Sequence, residues 1–181
     1  LTNNDGASLA ISGALGQVGQ VNTEALNISN NDNLASVSFP SLTTIGGAID
    51  AVNGSLTLQT NGTALSSVSM PALTTVDGAL SMSNAVAADV SATADINFNA
   101  LTTVDAAVTF TRAAKTINAP NLTTIAGSLT VSANSGLTTL AGLESLTTIG
   151  TTAANESMVV TNNANLAACC VIPCGLTSID G

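Results

Sequence analysis

No histidine occurs anywhere in the chain, and neither does tryptophan or tyrosine. Without an imidazole there is no Ser-His-Asp or Cys-His nucleophile system and no histidine metal site. With three Phe as the only aromatic residues, the platforms on which bases and sugar rings stack are missing as well. Cations are nearly as scarce: two Lys and Arg stand against eleven Asp and Glu, a formal charge of −9. A polyanion meets repulsion where counterion release normally drives binding, so nucleic acid is not expected as a partner, and little is left to clamp a phosphate. Long apolar runs are absent too. The longest, LAACCVIPCGL from Leu166 to Leu176, spans 11 residues with a proline inside, well short of the roughly 20 that a spanning helix needs. No membrane insertion is expected. No charged and apolar leader opens the sequence, so either a signal peptide has been removed or there was none. The three cysteines fall within six residues, a usage that leans toward an oxidising compartment.

What is present is repetition. The chain is 45% hydrophobic and only 7% charged, with Ser and Thr making up about a quarter of it, so its surface must consist of hydroxyls and amides. FPSLTTIGG (Phe39 to Gly47) returns as MPALTTVDG (Met70 to Gly78), FNALTTVDA (Phe98 to Ala106), APNLTTIAG (Ala119 to Gly127) and LESLTTIG (Leu143 to Gly150), and in worn form as CGLTSIDG (Cys174 to Gly181). The motif leucines Leu42, Leu73, Leu101, Leu122, Leu146 and Leu176 are 31, 28, 21, 24 and 30 residues apart. Periods of this size mean a solenoid. After each motif an alternating segment follows, such as Leu56-Thr57-Leu58, Leu80-Ser81-Met82, Val108-Thr109-Phe110, Leu129-Thr130-Val131 and Met158-Val159-Val160, the pattern of a strand with one face buried. Leu9-Ala10-Ile11 and Leu26-Asn27-Ile28 read the same way. The expected fold is all-β, a β-solenoid of about seven coils with parallel sheets and little or no helix, filling residues 1–181 as one domain.

Corners carry their own signature. Asn31, Asn134 and Asn163 each precede a leucine by three residues, and Asn61 does so with one residue inserted. A side-chain amide at such a place can cap turning backbone, coil upon coil, because buried backbone polar groups need a partner. Glycines after the motif and Pro40, Pro71 and Pro120 before it punctuate the other corners. LTTLAGLESLTTIG (Leu137 to Gly150) followed by SMVVTNNANL (Ser157 to Leu166) resembles bacterial surface leucine-rich repeats of the receptor-L-domain-like kind. The resemblance implies a right-handed β-solenoid with a parallel sheet on one face, displayed outside the cell and usually without enzymatic activity. The chain departs from that pattern in its irregular coil from Ala85 to Ala106 and in its near absence of charge.

Few residues offer chemistry. Asp77, Asp105 and Asp180 share one place after the motif and would stack in a row if the coils keep register; turn-forming is their simplest role. Arg112 and Lys115 sit together and balance neighbouring Asp. Five N-x-S/T sequons occur, at Asn27, Asn53, Asn61, Asn121 and Asn155, about as many as this composition gives by chance. The paired threonines Thr43-Thr44, Thr74-Thr75, Thr102-Thr103, Thr123-Thr124 and Thr147-Thr148 would form two ladders with neighbours about 4.8 Å apart. Such an array can match the lattice of ice or of a crystalline polysaccharide, while β-branched Thr also simply suits half-exposed extended backbone. The outward strand positions, from Asn27 through Thr57, Ser81, Thr109 and Thr130 to Val159, are mostly polar, small and uncharged.

Aligning NLAACCVIPCGLTSI with NLASVSFPSLTTI puts Cys169 at an inward place and Cys170 at an outward one. Cys170 and Cys174 flank a short loop and are the expected disulfide; a Cys169 to Cys174 bridge and free thiols are the alternatives. The sequence opens with LTNNDGASLAIS and closes on LTSIDG, neither of which reads as a helix or a charged lid. A solenoid without polar caps exposes core and strand edge, so head-to-tail assembly of the chain with itself is expected. The composite expectation is a secreted or cell-surface protein, structural or adhesive, with no cofactor and no enzymatic activity. The alternatives are a receptor-L-like module binding a surface protein or glycan, and the Thr array.

Overall fold

The computed structural model describes residues 26–31, 34–46, 54–59, 65–83, 94–150 and 157–167, and the backbone of 8–10, 17–18 and 178–179. Extended segments follow one another in threes. The first coil holds β1 (Ser8–Ala10), β2 (Gln17–Val18) and β3 (Leu26–Ser29), and the second β4 (Ser36–Ser38), β5 (Thr44–Ile45) and β6 (Leu56–Gln59). Next come β7 (Ser67–Ser69), β8 (Thr75–Val76) and β9 (Leu80–Ser83), then β10 (Ala94–Asn97), β11 (Thr103–Val104) and β12 (Val108–Thr111). They are followed by β13 (Ala114–Asn118), β14 (Thr124–Ile125), β15 (Leu129–Ser132), β16 (Thr148–Ile149), β17 (Met158–Thr161) and β18 (Ser178–Ile179).

Every pairing is parallel and links a strand to its counterpart one coil away. Sheet 1 has the order β1-β4-β7-β10-β13, sheet 2 the order β18-β16-β14-β11-β8-β5-β2, and sheet 3 the order β17-β15-β12-β9-β6-β3. The chain is thus an all-β parallel solenoid, with about four turns, β4 to β15, described with their side chains on all three sides. Its only helical piece among the described residues is a 3-10 turn, Ala141–Leu143, and no helix there is long and apolar enough to cross a membrane.

The columns of the core explain the repeat. Sheet 3 contributes two inward residues per strand, such as Leu80 and Met82 or Leu129 and Val131, and sheet 1 contributes Val37, Val68, Ile96 and Ile117. Ile45, Val76, Val104, Ile125 and Ile149 form the inward column of sheet 2, beside the motif leucines Leu42, Leu73, Leu101, Leu122 and Leu146; none is more than 2% exposed. Each buried side chain of this size contributes about 1.5–3 kcal/mol against leaving it in water. Like sits on like because each residue packs on its own repeat one coil away, and apart from one extra residue within β13 the insertions that vary the period fall between strands.

The structure differs from the sequence expectation in two respects. The Leu9 and Leu26 segments, read as the same kind of strand, belong to different sheets, since β1 pairs with β4 and β3 with β6. Sheets cover three faces where the resemblance implied one, because Ser36–Ser38 and the motif itself are extended between corners as well. Among the described residues sheet 1 runs no further than β13, and the 3-10 turn takes the next place. There Ala119 N–H donates to the Gly142 carbonyl at 2.8 Å, an approach only glycine permits, since a Cβ on Gly142 would overlap the Ile117 carbonyl oxygen.

One corner demands left-handed backbone. The residue that follows a sheet 3 strand has φ of 57° at Asn30, 53° at Arg112, 56° at Ala133 and 57° at Asn162. Asn tolerates this region and Ala does not, at roughly 1–2 kcal/mol. Ala133→Gly is therefore expected to stabilise the protein by about 0.5–1 kcal/mol after the entropy cost of glycine. A denaturation midpoint lower than that of the parent would contradict the assignment.

Candidate functional site

The polar side chains that the repeat places in columns hold coil to coil, and the corner after sheet 3 shows this most completely. Asn134 is fully buried. Its Oδ1 accepts the N–H of Ala113 and of Ala114, both at 3.0 Å, while Nδ2 donates to the Phe110 carbonyl at 2.8 Å and the Ser132 carbonyl at 3.1 Å. One coil on, Asn163 Oδ1 accepts the Asn134 N–H at 2.9 Å and its Nδ2 donates to the Val131 carbonyl at 2.9 Å. Asn31, also fully buried, donates to the Ser29 carbonyl at 2.9 Å. Asn61 lies outside the described residues. At the equivalent place Ala113 carries no amide, so the column is interrupted there.

The two Thr columns differ from each other. In the first, Thr74, Thr102, Thr123 and Thr147 each donate both N–H and Oγ1–H to the carbonyl of the first Thr one coil back, the hydroxyl bonds measuring 2.9, 3.0, 3.2 and 3.1 Å. These hydroxyl protons are spent on Thr43, Thr74, Thr102 and Thr123 and are not free for a ligand. In the second column Thr44, Thr75, Thr103, Thr124 and Thr148 stand in strict register on sheet 2. Their hydroxyls have no protein partner among the described residues.

After the second column the corner row runs Gly46, Asp77, Asp105, Ala126, Gly150, each later N–H bonding to the coil before at 2.8–2.9 Å. Two carboxylates are therefore neighbours, and no third acidic group joins them among the described residues; Asp180 lies outside those residues. Asp77 leans over Gly46, whose φ of 114° and contact with the Asp77 side chain leave no space for a Cβ. Burial, and then the Asp105 charge, push the Asp77 carboxyl above its ordinary range.

Lys115 Nζ lies 4.0 Å from Asp95 Oδ2, an exposed pair, whereas Arg112 makes no ion pair among the described residues. Cys169, Cys170 and Cys174 lie outside them, as do the sequon residues Asn53 and Asn155. A cluster the repeat pattern does not announce occupies the outside of sheet 1: Asp95, Asn97, Asn99, Thr116, Asn118 and Asn121. Its one signal in the sequence is that the Ser-Val-Ser of β4 and β7 becomes Asp-Ile-Asn in β10 and Thr-Ile-Asn in β13.

Removing the Asn134 amide leaves two buried N–H groups and the Phe110 carbonyl without it. Asn134→Ala is expected to cost about 3 kcal/mol or more by chemical denaturation, and a loss below about 1 kcal/mol would show that the corner finds other partners. Asp77 gives a pH signature. Its folded pKa exceeds the unfolded 3.8, so the native state binds protons more tightly, and stability falls as pH rises from the unfolded value through the folded one. Asp77→Asn removes that fall. The variant should gain on the parent between acid and neutral pH, and a gap that is constant across the range would refute the assignment.

Comparison with protein-family models, with characterised proteins and with solved structures finds no match to this chain.

Proposed function

We propose that this chain is a non-catalytic, extracellular structural or adhesive repeat protein, secreted or held at a cell surface, that stacks end to end into filaments. On this reading its about seven coils are of the leucine-rich, receptor-L-like kind. The observation that carries it is where the bonding capacity of the side chains goes. The Asn column and the first Thr column are spent between coils, and Thr111 with Ser132 and Asn165 with Ser135 add further bonds of the same sort. Sheet 3 presents small uncharged groups, without the aromatic or Arg anchors that usually dominate binding energy.

The edge of sheet 3 supports self-assembly. Among the described residues no strand lies beyond β17, and Met158 and Val160 are only half-buried, whereas Leu129 and Val131, their counterparts on β15, are fully buried. A parallel edge over half-buried side chains pairs readily with a further coil, whether from the same chain or from a second copy. A contact between unlike ends does not close on itself and propagates as a filament. The second Thr column supports one other reading, an array that matches a crystalline polysaccharide or ice, because its hydroxyls are unspent and regularly spaced.

Sedimentation of the native protein over a wide concentration range, with electron microscopy of the same samples, tests the filament. Growth with concentration beyond the 17.7 kDa monomer and visible fibres are expected. One species at the monomer mass throughout, without fibres, would overturn the proposal and favour a ligand-binding module for a protein or glycan.

A further inference from the structure

The outside of sheet 1 changes character along its length. Its two outward rows run Ser36, Ser67, Asp95, Thr116 and Ser38, Ser69, Asn97, Asn118. The fold does not require the change, since β4 and β7 carry serines outside the equally buried Val37 and Val68. A bulge supplies the difference. Asp95 pairs with Thr116, although Ala94 pairs with Ala114, so Lys115 has no opposite residue, and Lys115 and Thr116 are both exposed. Bulges at sheet margins re-aim side chains, and β13 is the last strand of sheet 1 among the described residues.

The re-aimed groups are organised. Thr116 Oγ1 donates to Asp95 Oδ1 at 2.8 Å, and Lys115 faces the other carboxylate oxygen. Asn118 Nδ2 donates to Asn99 Oδ1 at 2.8 Å, and Asn121 Nδ2 to the Asn99 backbone carbonyl at 2.7 Å. These bonds fix three exposed amides and leave the Asn99 Nδ2, the Asn118 Oδ1 and the Asn121 Oδ1 without protein partners among the described residues. Asn97, in the middle of the cluster, holds its Oδ1 buried with no hydrogen-bond partner. That is a standing cost in the free protein, recovered if the amide turns outward to meet a donor.

We propose that the outer face of β10 and β13, from Asp95 to Asn121, is a binding site for a neutral glycan. The Asp95 and Lys115 charges cancel, so within a chain of −9 this patch favours neither a cation nor an anion. Its free groups are a mixture of donors and acceptors at fixed positions. A sugar hydroxyl, which both donates and accepts, satisfies such a mixture better than an ion does. With no aromatic ring to stack on, a single site binds weakly, and a polymeric ligand bound by several copies gains by multivalency. The inference goes beyond the structural reading and stands whether or not the chain forms filaments.

Titration of the labelled protein with cellohexaose and with mannohexaose, followed by amide NMR, tests it. Saturable shifts confined to residues 94–99 and 114–121, at roughly millimolar affinity, are expected with at least one of the two. Asn99→Ala combined with Asn118→Ala should weaken that binding about tenfold or more, while Ser36→Ala with Ser67→Ala leaves it unchanged. Signals outside those two segments report whether each variant keeps its fold. Asn121→Ala, which removes one exposed bond, serves if the double variant unfolds and should weaken binding in the same sense. The absence of saturable shifts with either sugar, shifts centred on another sheet, or amide variants that bind as the parent does would each overturn the site.

Discussion

Parallel coils about 4.8 Å apart bond to one another easily where they are extended and poorly where they turn, and the fold depends on how the turns are satisfied. At the corner after sheet 3 the backbone goes left-handed and then inward, carrying N–H groups into a dry core. Asn134 answers there with an amide that serves two N–H donors and two carbonyls at once, linking its own coil to the one before. No apolar side chain can do this, and a carboxylate in its place would face carbonyls with no proton to give. The interior of the solenoid can be almost wholly aliphatic because this one position is not.

The same logic orders the other corner. A threonine at the first motif place lends its hydroxyl to the carbonyl that its own N–H already occupies, so one oxygen takes two bonds in each of four successive coils. Each such bond is partly solvated and worth little alone, about 0.5–1.5 kcal/mol at most. Repeated in register, these bonds set the direction of stacking as firmly as the strands do. Charge would disturb the arrangement, since a residue at any column place lies directly against its counterpart in the next coil. Asp77 shows the consequence: burial, and after it the neighbouring Asp105 charge, raise its pKa.

The legibility of the fold in the sequence follows from these columns. Leu73 and Val76, or Leu80 and Met82, announce themselves because each must match the residue above and below it, and the motif recurs accordingly. Asn31, Asn134 and Asn163 were legible for the same reason. The three-sided cross-section was not, because strands such as Thr75–Val76 are two residues long and leave no alternation to read. Nor was the cluster on sheet 1. Asp95 and Asn99 meet Thr116 and Asn118 only across a whole coil, and the bulge that turns Lys115 outward is a register shift between coils that no single stretch of sequence displays.

The two open features of the molecule lie on different sheets, and this bears on how one chain can both assemble and bind. The outer edge of β17, unpaired among the described residues, belongs to sheet 3 and looks along the solenoid axis, so whatever stacks there uses backbone groups and the half-buried Met158 and Val160. The amide cluster belongs to sheet 1 and looks away from the axis, and its free atoms are side-chain oxygens and nitrogens. Occupying one surface leaves the other untouched. A stack of such chains would carry one weak site per copy at a fixed spacing, and a long neutral polymer lying along it would engage several at once. Weakness of the single contact is then compatible with adhesion, because the effective concentration of each further site is set by the rigid spacing of the coils and not by diffusion.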